Sequence, residues 1–407
     1  MIRPRLEVAE VFREFTPAFL HRYGDTISPD QRRVLGHVAR CRTAELGGHV
    51  EECDRCGHRR IAYNSCCNRH CPKCQAAARA QWLDQRSAEL LPVEYFHVVF
   101  TLPDEIGPLA LQNRRRIYGM LFQAAAESLL TIAADPRHLG AQIGFLAVVH
   151  TWGQNLHLHP HVHCVVPGGG LSPDQRQWIA CRPGFFLPVR VLSRLFRAKF
   201  LSFLRDAQEH RQILFHGQQR YLEEPARFRQ LIAALREKEW VVYAKPPFGG
   251  PEVVLKYLAR YTHQVAISNY RLIAIENDQV HFHWKDYTDG NRQKTMALAG
   301  VEFVRRFLLH VVPSGFVRIR HFGFLAHRHR AEKLELCRRL LNVEQASDKE
   351  AGAQPAMNQG TTERAVPPDL CPACKEGRLV VIEKLERQRS KAAIQAVEMS
   401  PLTTDTS

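Results

Sequence analysis

Residues 154–170 read Gln154-Asn-Leu-His157-Leu-His159-Pro160-His161-Val162-His163-Cys164-Val165-Val166-Pro167-Gly-Gly-Gly170, with a histidine at every second position from 157 to 163. Side chains alternate across an extended strand, so His161 and His163 share one face and Val162 takes the other. The run His161–Val166 is β-branched and apolar between its histidines, which suits a buried strand that ends at Pro167 and the glycines. Pro160 has no N–H for a ladder, which puts His157 and His159 on an edge or in the approach to the strand. Two neutral imidazoles aimed the same way from a rigid strand make two ligands for a divalent metal. Further lone pairs could come from His157, His159 or Gln154.

Seven of the twelve cysteines (41, 53, 56, 66, 67, 71 and 74) crowd into the first fifth of the chain. No run of 18 apolar residues and no signal-peptide core is evident, so the expected compartment is a reducing cytoplasm, where clustered cysteines point to metal. Two C-x-x-C pairs, Cys53/Cys56 and Cys71/Cys74, stand 14 residues apart, close to zinc-ribbon spacing. Thiolates two apart in a tight turn converge on one tetrahedral ion, and four leave no open position. Cys53, Cys56, Cys71 and Cys74 are therefore the expected ligands of a structural Zn2+. Cys41, His49, Cys66 and His70 remain for a second site. Cys371-Pro-Ala-Cys374 has no matching pair near it in sequence.

A chain of 407 residues has room for two or three domains. Its 56 Lys and Arg against 41 Asp and Glu leave a net charge of +15. Such basicity favours a polyanion, nucleic acid before a membrane surface. Apolar spacing predicts helices over much of residues 1–45, Ala76–Leu90, Gly107–Ala134, much of 185–240 and Val301–His310. Strands are predicted at Tyr95–Leu102, Ile143–Trp152 and Trp240–Lys245, with Ile143–Trp152 in a hairpin-like pair with the histidine strand. Gly249-Gly-Pro251 opens another helix, on which Tyr257 and Tyr261 share a face. Val254 and Leu258 make that same face an equally good core stripe. His281-Phe-His-Trp-Lys-Asp-Tyr287 alternates basic or polar with aromatic side chains, as a surface for single-stranded nucleic acid does, or as a strand with one core face does. No phosphate loop is present, which leaves an ATP-driven helicase unsupported. Beyond residue 342 the composition turns polar and reads as a linker.

Paired histidines, paired tyrosines and a basic chain with cysteine knuckles suggest one chemistry. A metal would polarise a scissile phosphate while a tyrosine oxygen attacks phosphorus, leaving a 5′-phosphotyrosine link and a free 3′-hydroxyl. The sequence resembles the two-tyrosine, HUH-type rolling-circle transposases of the insertion-sequence ninety-one family. The resemblance rests on Cys66-Cys-Asn-Arg-His-Cys-Pro-Lys-Cys-Gln75, Phe96-His-Val-Val-Phe-Thr-Leu-Pro103, His150-Thr-Trp-Gly-Gln154 and His159-Pro-His-Val-His163. It continues through Trp240-Val-Val-Tyr-Ala-Lys245, Lys256-Tyr-Leu-Ala-Arg-Tyr-Thr-His263 and Gly315-Phe-Val-Arg-Ile-Arg-His-Phe-Gly323. These motifs cover roughly residues 35–330 in the family's order.

The resemblance implies an α+β chain in which a zinc-binding domain precedes an HUH nuclease domain with a central antiparallel sheet flanked by helices. It implies His161 and His163 as ligands of Mg2+ or Mn2+, Tyr257 and Tyr261 as nucleophiles, and a zinc domain that helps recognise DNA. Gln154 is the first candidate for a third ligand and His159 the second. The expected boundaries are 1–88 for the zinc-binding domain, 89–341 for the nuclease domain and 342–407 for a flexible tail. Lys245, Lys256, Arg260, Lys285, Arg318 and Arg320 are the expected DNA contacts. The partners are single-stranded DNA at element ends and target DNA, with no membrane and no small-molecule cofactor, in a bacterial cytoplasm at the nucleoid. A zinc-dependent DNA-binding regulator without catalysis, a metal-dependent hydrolase and a relaxase or replication initiator are the competing readings.

Overall fold

The structure, a computed structural model, describes residues 6–76, 89–245, 253, 265–287, 289–341 and 370–388. Tyr257, Tyr261, Lys256 and Arg260 lie outside the described residues, as does most of the helix expected over Ala76–Leu90.

In chain order the helices are α1 (Val8–Tyr23), α2 (Pro29–Ala39), α3 (Gly107–Gln112), α4 (Arg114–Ala134), α5 (Val189–Glu209), α6 (Pro225–Glu237), α7 (Gly300–Leu309) and α8 (Arg330–Leu340). The strands are β1 (Gly48–Cys53), β2 (Arg59–Tyr63), β3 (Tyr95–Thr101), β4 (Gly144–Trp152), β5 (Leu158–Pro167), β6 (Gly169–Leu171) and β7 (Trp178–Ala180). They continue with β8 (Val242–Lys245), β9 (Leu272–Glu276), β10 (Gln279–Asp286), β11 (Arg292–Ala299), β12 (Ile319–Gly323) and β13 (Leu379–Leu385). The single helix expected over Gly107–Ala134 is two. Asn113 breaks it, donating to Leu109 O and Leu214 O and accepting from Leu214 N.

Five strands form a sheet in the order β12-β4-β5-β3-β8, antiparallel throughout, with the histidine strand β5 in the middle. Alternation gives this sheet two different faces. Phe96, Val98, Phe100, Phe145, Ala147, Val149, Val162, Cys164 and Val166 belong to the largest apolar core, with α4 and α5. The residues between them, including His97, His150, His161 and His163, take the opposite face. α4 is long and apolar enough by length and composition alone to cross a membrane, but most of it is buried inside the protein.

A second core joins α1 and α2 to the three-stranded sheet β11-β10-β9 and to α7. α1 carries Val8, Val11, Phe12, Phe15 and Phe19 on its buried side, and a stripe of that width must be covered by something. α7 covers it: Phe12 and Phe307 meet edge to face with ring centres 5.0 Å apart. A Cβ on Gly300 would sit 2.3 Å from the Phe15 ring, so the two helices touch through a glycine. Replacing Phe307 by alanine should lower the stability of this unit by about 3–5 kcal/mol, read as a shift in its urea-unfolding midpoint. The expected boundary at residue 88 thus runs through a shared core. Arg69 tightens the join, donating to Phe316 O at 2.6 Å, Val312 O at 3.3 Å and Pro313 O at 2.5 Å.

Residues 370–388 of the expected tail 342–407 are part of the fold. Within it, β13 pairs antiparallel with β1 along its whole length and completes a sheet in the order β13-β1-β2. A ladder needs unpaired backbone groups on a neighbouring edge, and β1 offers them whatever the separation in sequence.

Candidate active site

Three histidines converge on the face of the central sheet that lies opposite α4 and α5. His161 and His163 come from β5 and His150 from β4, and one nitrogen of each ring lies within 4.8 Å of the others. The hairpin register sets this: His150 stands opposite His161, and Val148 opposite His163. His161 Nδ1 lies 2.6 Å from His159 O, so Nδ1 carries the proton and Nε2 keeps its lone pair for the site. His163 Nδ1 lies 2.7 Å from His97 Nε2, and the two rings stack with centres 4.9 Å apart. Burial pushes His161 down to about 4, His97 down to about 3 and His163 well below the usual range. All three stay neutral at physiological pH, the form that binds a metal.

The cluster floors a groove of about 1160 Å³. Tyr243 and Lys245 of β8, Trp284, Lys285 and Tyr287 at the end of β10, and Arg305 and Arg306 of α7 line its sides. Arg271 holds the β4–β5 turn against the second sheet, donating to Gln154 O and to His283 O. The Gln154 side chain donates to Tyr287 Oη at 3.3 Å, and Lys285 Nζ lies 5.8 Å from the Tyr287 ring centre.

Of the expected DNA contacts, Lys245 and Lys285 reach this groove. Arg318 and Arg320 do not, because period-two alternation turns Arg320 onto the helix-covered face with Phe322. The Arg320 guanidinium lies 4.3 Å from the Phe122 ring centre. Arg318 is buried, and burial, then Arg69, brings it down to about 10. Neither expected third ligand joins the histidine cluster. The Gln154 side chain is turned to Tyr287, and His159 contributes its carbonyl to His161 while His150 supplies the third nitrogen.

The cysteines sort differently from their spacing. Cys71 and Cys74 gather with Cys41 and Cys66, whereas Cys53 and Cys56 gather with Cys371 and Cys374. The hairpin explains why. Cys53 and Cys56 sit at its turn, while Cys41 before β1 and Cys66 after β2 meet at its base, where Arg42 N donates to Asn64 O. Five residues of strand hold the two ends on the order of 16 Å apart, too far for one ion. In the first group Cys74 Sγ lies 3.6 Å from both Cys41 Sγ and Cys66 Sγ, and hydrogen bonds from Cys66 and Cys71 bring Cys41 down to about 7. His49 pairs with Glu51 instead, and His70 is buried outside both groups.

Residues 144–333 match a family described as "Putative transposase", and residues 11–102 match one described as "Transposase zinc-binding domain". The chain is 57% identical over 385 residues to "Putative transposase y4qJ" of Sinorhizobium fredii, covering 94% of this chain and 96% of that one. It is 30% identical over 295 residues to the transposase for insertion sequence element IS801 of Pseudomonas savastanoi pv. phaseolicola, covering 71% of this chain and 68% of that one. The chain is a transposase of the insertion-sequence ninety-one family. No solved structure matches it.

The transposase match begins at the first residue of β4 and so takes in the whole histidine hairpin. The zinc-binding match contains Cys41, Cys66, Cys71 and Cys74 but ends long before Cys371. Two functional candidates in this transposase are not singled out by the strand pattern. His150 is nearly recoverable from sequence, since a plain hairpin turning at 153–157 sets 150 opposite 160 and a one-residue register shift between His150 and Trp152 moves it opposite His161. His97 is not, because its place depends on β3 pairing with β5. Exchanging His97 for phenylalanine keeps a ring but removes the bond to His163. It should weaken divalent-metal affinity about 10- to 100-fold, measured by titrating Mn2+ calorimetrically.

Proposed function

We propose that this transposase nicks and rejoins single-stranded DNA at the ends of its element through a tyrosine nucleophile. His150, His161 and His163 would hold the divalent metal that assists it. The observation that carries this reading is the set of three convergent imidazoles, two of them buried and His161 partly so, at the floor of a basic, aromatic-lined groove. Three nitrogen donors suit Mn2+ better than Mg2+, which prefers oxygen. When bound, the metal would polarise the scissile phosphate and offset charge on its non-bridging oxygens.

The protein's own groups supply the rest. Lys245 and Lys285 neutralise phosphates on either side of the cut, and Trp284 and Tyr287 offer faces on which unpaired bases stack. Tyr257 or Tyr261 attacks phosphorus, forming the phenolic O–P bond as the bond to the 3′ oxygen breaks. The phenol's proton is balanced by the one gained at the free 3′-hydroxyl. Reversal by another 3′-hydroxyl rejoins the strand without an external energy source, and the second tyrosine permits a further transfer. Cys41, Cys66, Cys71 and Cys74 hold a structural Zn2+ in the N-terminal domain.

The test uses labelled single-stranded DNA carrying the element's terminal sequence, with Mn2+ or with chelator. A protein–DNA band that resists denaturation is expected only with metal. It should survive Tyr257→Phe or Tyr261→Phe alone and vanish in the double variant. Cleavage to free 5′-phosphate ends without an adduct would instead identify a hydrolase using activated water.

A further inference from the structure

Four sulfurs from opposite ends of the chain meet at the turn of the β1–β2 hairpin. Cys53 Sγ lies 3.7 Å from Cys374 Sγ, and Cys56 Sγ lies 3.7 Å from Cys371 Sγ. All four lie within 4.8 Å of one another. A disulfide would bring two sulfurs to about 2.05 Å. A tetrahedron of thiolates, each about 2.3 Å from a central zinc, holds them roughly 3.8 Å apart. The observed spacing is the second kind.

The two C-x-x-C turns are built alike. In each, the residue four after the first cysteine takes a positive φ, Gly57 at 68° and Lys375 at 59°. Each of those residues donates its N–H to the carbonyl of that first cysteine. In each turn a backbone N–H also points at a sulfur: Arg55 at Cys53 Sγ, 3.5 Å, and Gly377 at Cys374 Sγ, 3.3 Å. Such donors favour the thiolate that a metal needs. A Cβ on Gly377 would lie 2.4 Å from Cys53 Sγ, so the second turn closes over the first only with glycine there. Asp54 and Arg378 lock the turns together, Asp54 N donating to Arg378 O and Arg378 N to Asp54 Oδ1.

We propose that Cys53, Cys56, Cys371 and Cys374 bind a second structural Zn2+ that clasps β13 to the zinc-binding domain. Apolar burial cannot do this work, since five of the seven residues of β13 are exposed. The ladder to β1 gives register, and the metal supplies the holding energy. The segment matched by the zinc-binding family contains two of the four ligands, and the other two arrive from beyond the nuclease domain.

The experiment measures zinc per chain on purified full-length protein after exhaustive dialysis. Two ions per wild-type chain are expected, and one in Cys371→Ser/Cys374→Ser. Gly377→Ala keeps every ligand and should release one zinc at a chelator concentration that leaves the wild type intact. Trypsin should then cut within 370–388 in both variants while the wild type resists. One zinc in the wild type, or two in the double-serine variant, would overturn the proposal. So would release of both ions together from Gly377→Ala.

Discussion

His163→Ala is expected to abolish metal-dependent nicking, with a loss on the order of a thousandfold, the size seen when one group that stabilises transition-state charge is removed. His163 is buried at the middle of the central sheet, shares the cluster with His150 and His161, and is backed by His97. Removing it leaves two nitrogens and an unbacked site, so Mn2+ affinity should fall together with the rate. Zinc content should not change, because neither cysteine group includes a residue of the central sheet. Cleavage assays across a Mn2+ series separate the two effects: excess metal should restore part of the rate if affinity is what was lost. Undiminished cleavage at every Mn2+ concentration would remove the histidine cluster from the mechanism.

Cys71→Ser should be equally severe for a different reason. Cys71 is buried, and it belongs both to the first cysteine group and to the core shared by α1, α2 and α7. A structural zinc contributes folding free energy outright, about 10–16 kcal/mol in small zinc modules, more than a typical domain's net stability. The variant should lose that ion and, with it, cooperative folding of the N-terminal unit. Zinc analysis and near-ultraviolet circular dichroism would show both losses. Cys67→Ser is the control, since Cys67 is exposed and belongs to neither group; it should keep both metal and fold.

Much of this was legible in the sequence wherever one local pattern determined the answer. Alternation alone puts His161 and His163 on one face, and helical spacing gives α1 its buried stripe. The central antiparallel sheet flanked by helices agrees with what the family resemblance implies. Failures arose where long-range pairing decides. Spacing pairs Cys53 and Cys56 with Cys71 and Cys74, but the hairpin between them carries the pairs to opposite ends. Arg318 and Arg320 look like a basic patch in sequence, yet alternation and the packing of α4 bury one and lay the other over Phe122. The polar composition around residue 370 hides β13, whose partner strand lies more than 300 residues upstream.

The core shared by α1, α2 and α7 bears on how such enzymes can be recombined. Exchanging residues 1–88 with those of a distant relative would separate Phe12 from Phe307, Phe15 from Gly300 and Arg69 from the carbonyls of 312–316. A chimera joined at that seam keeps the histidine cluster and loses the surface that joins the two units. The N-terminal unit and the histidine groove are therefore inherited together rather than shuffled as separate modules.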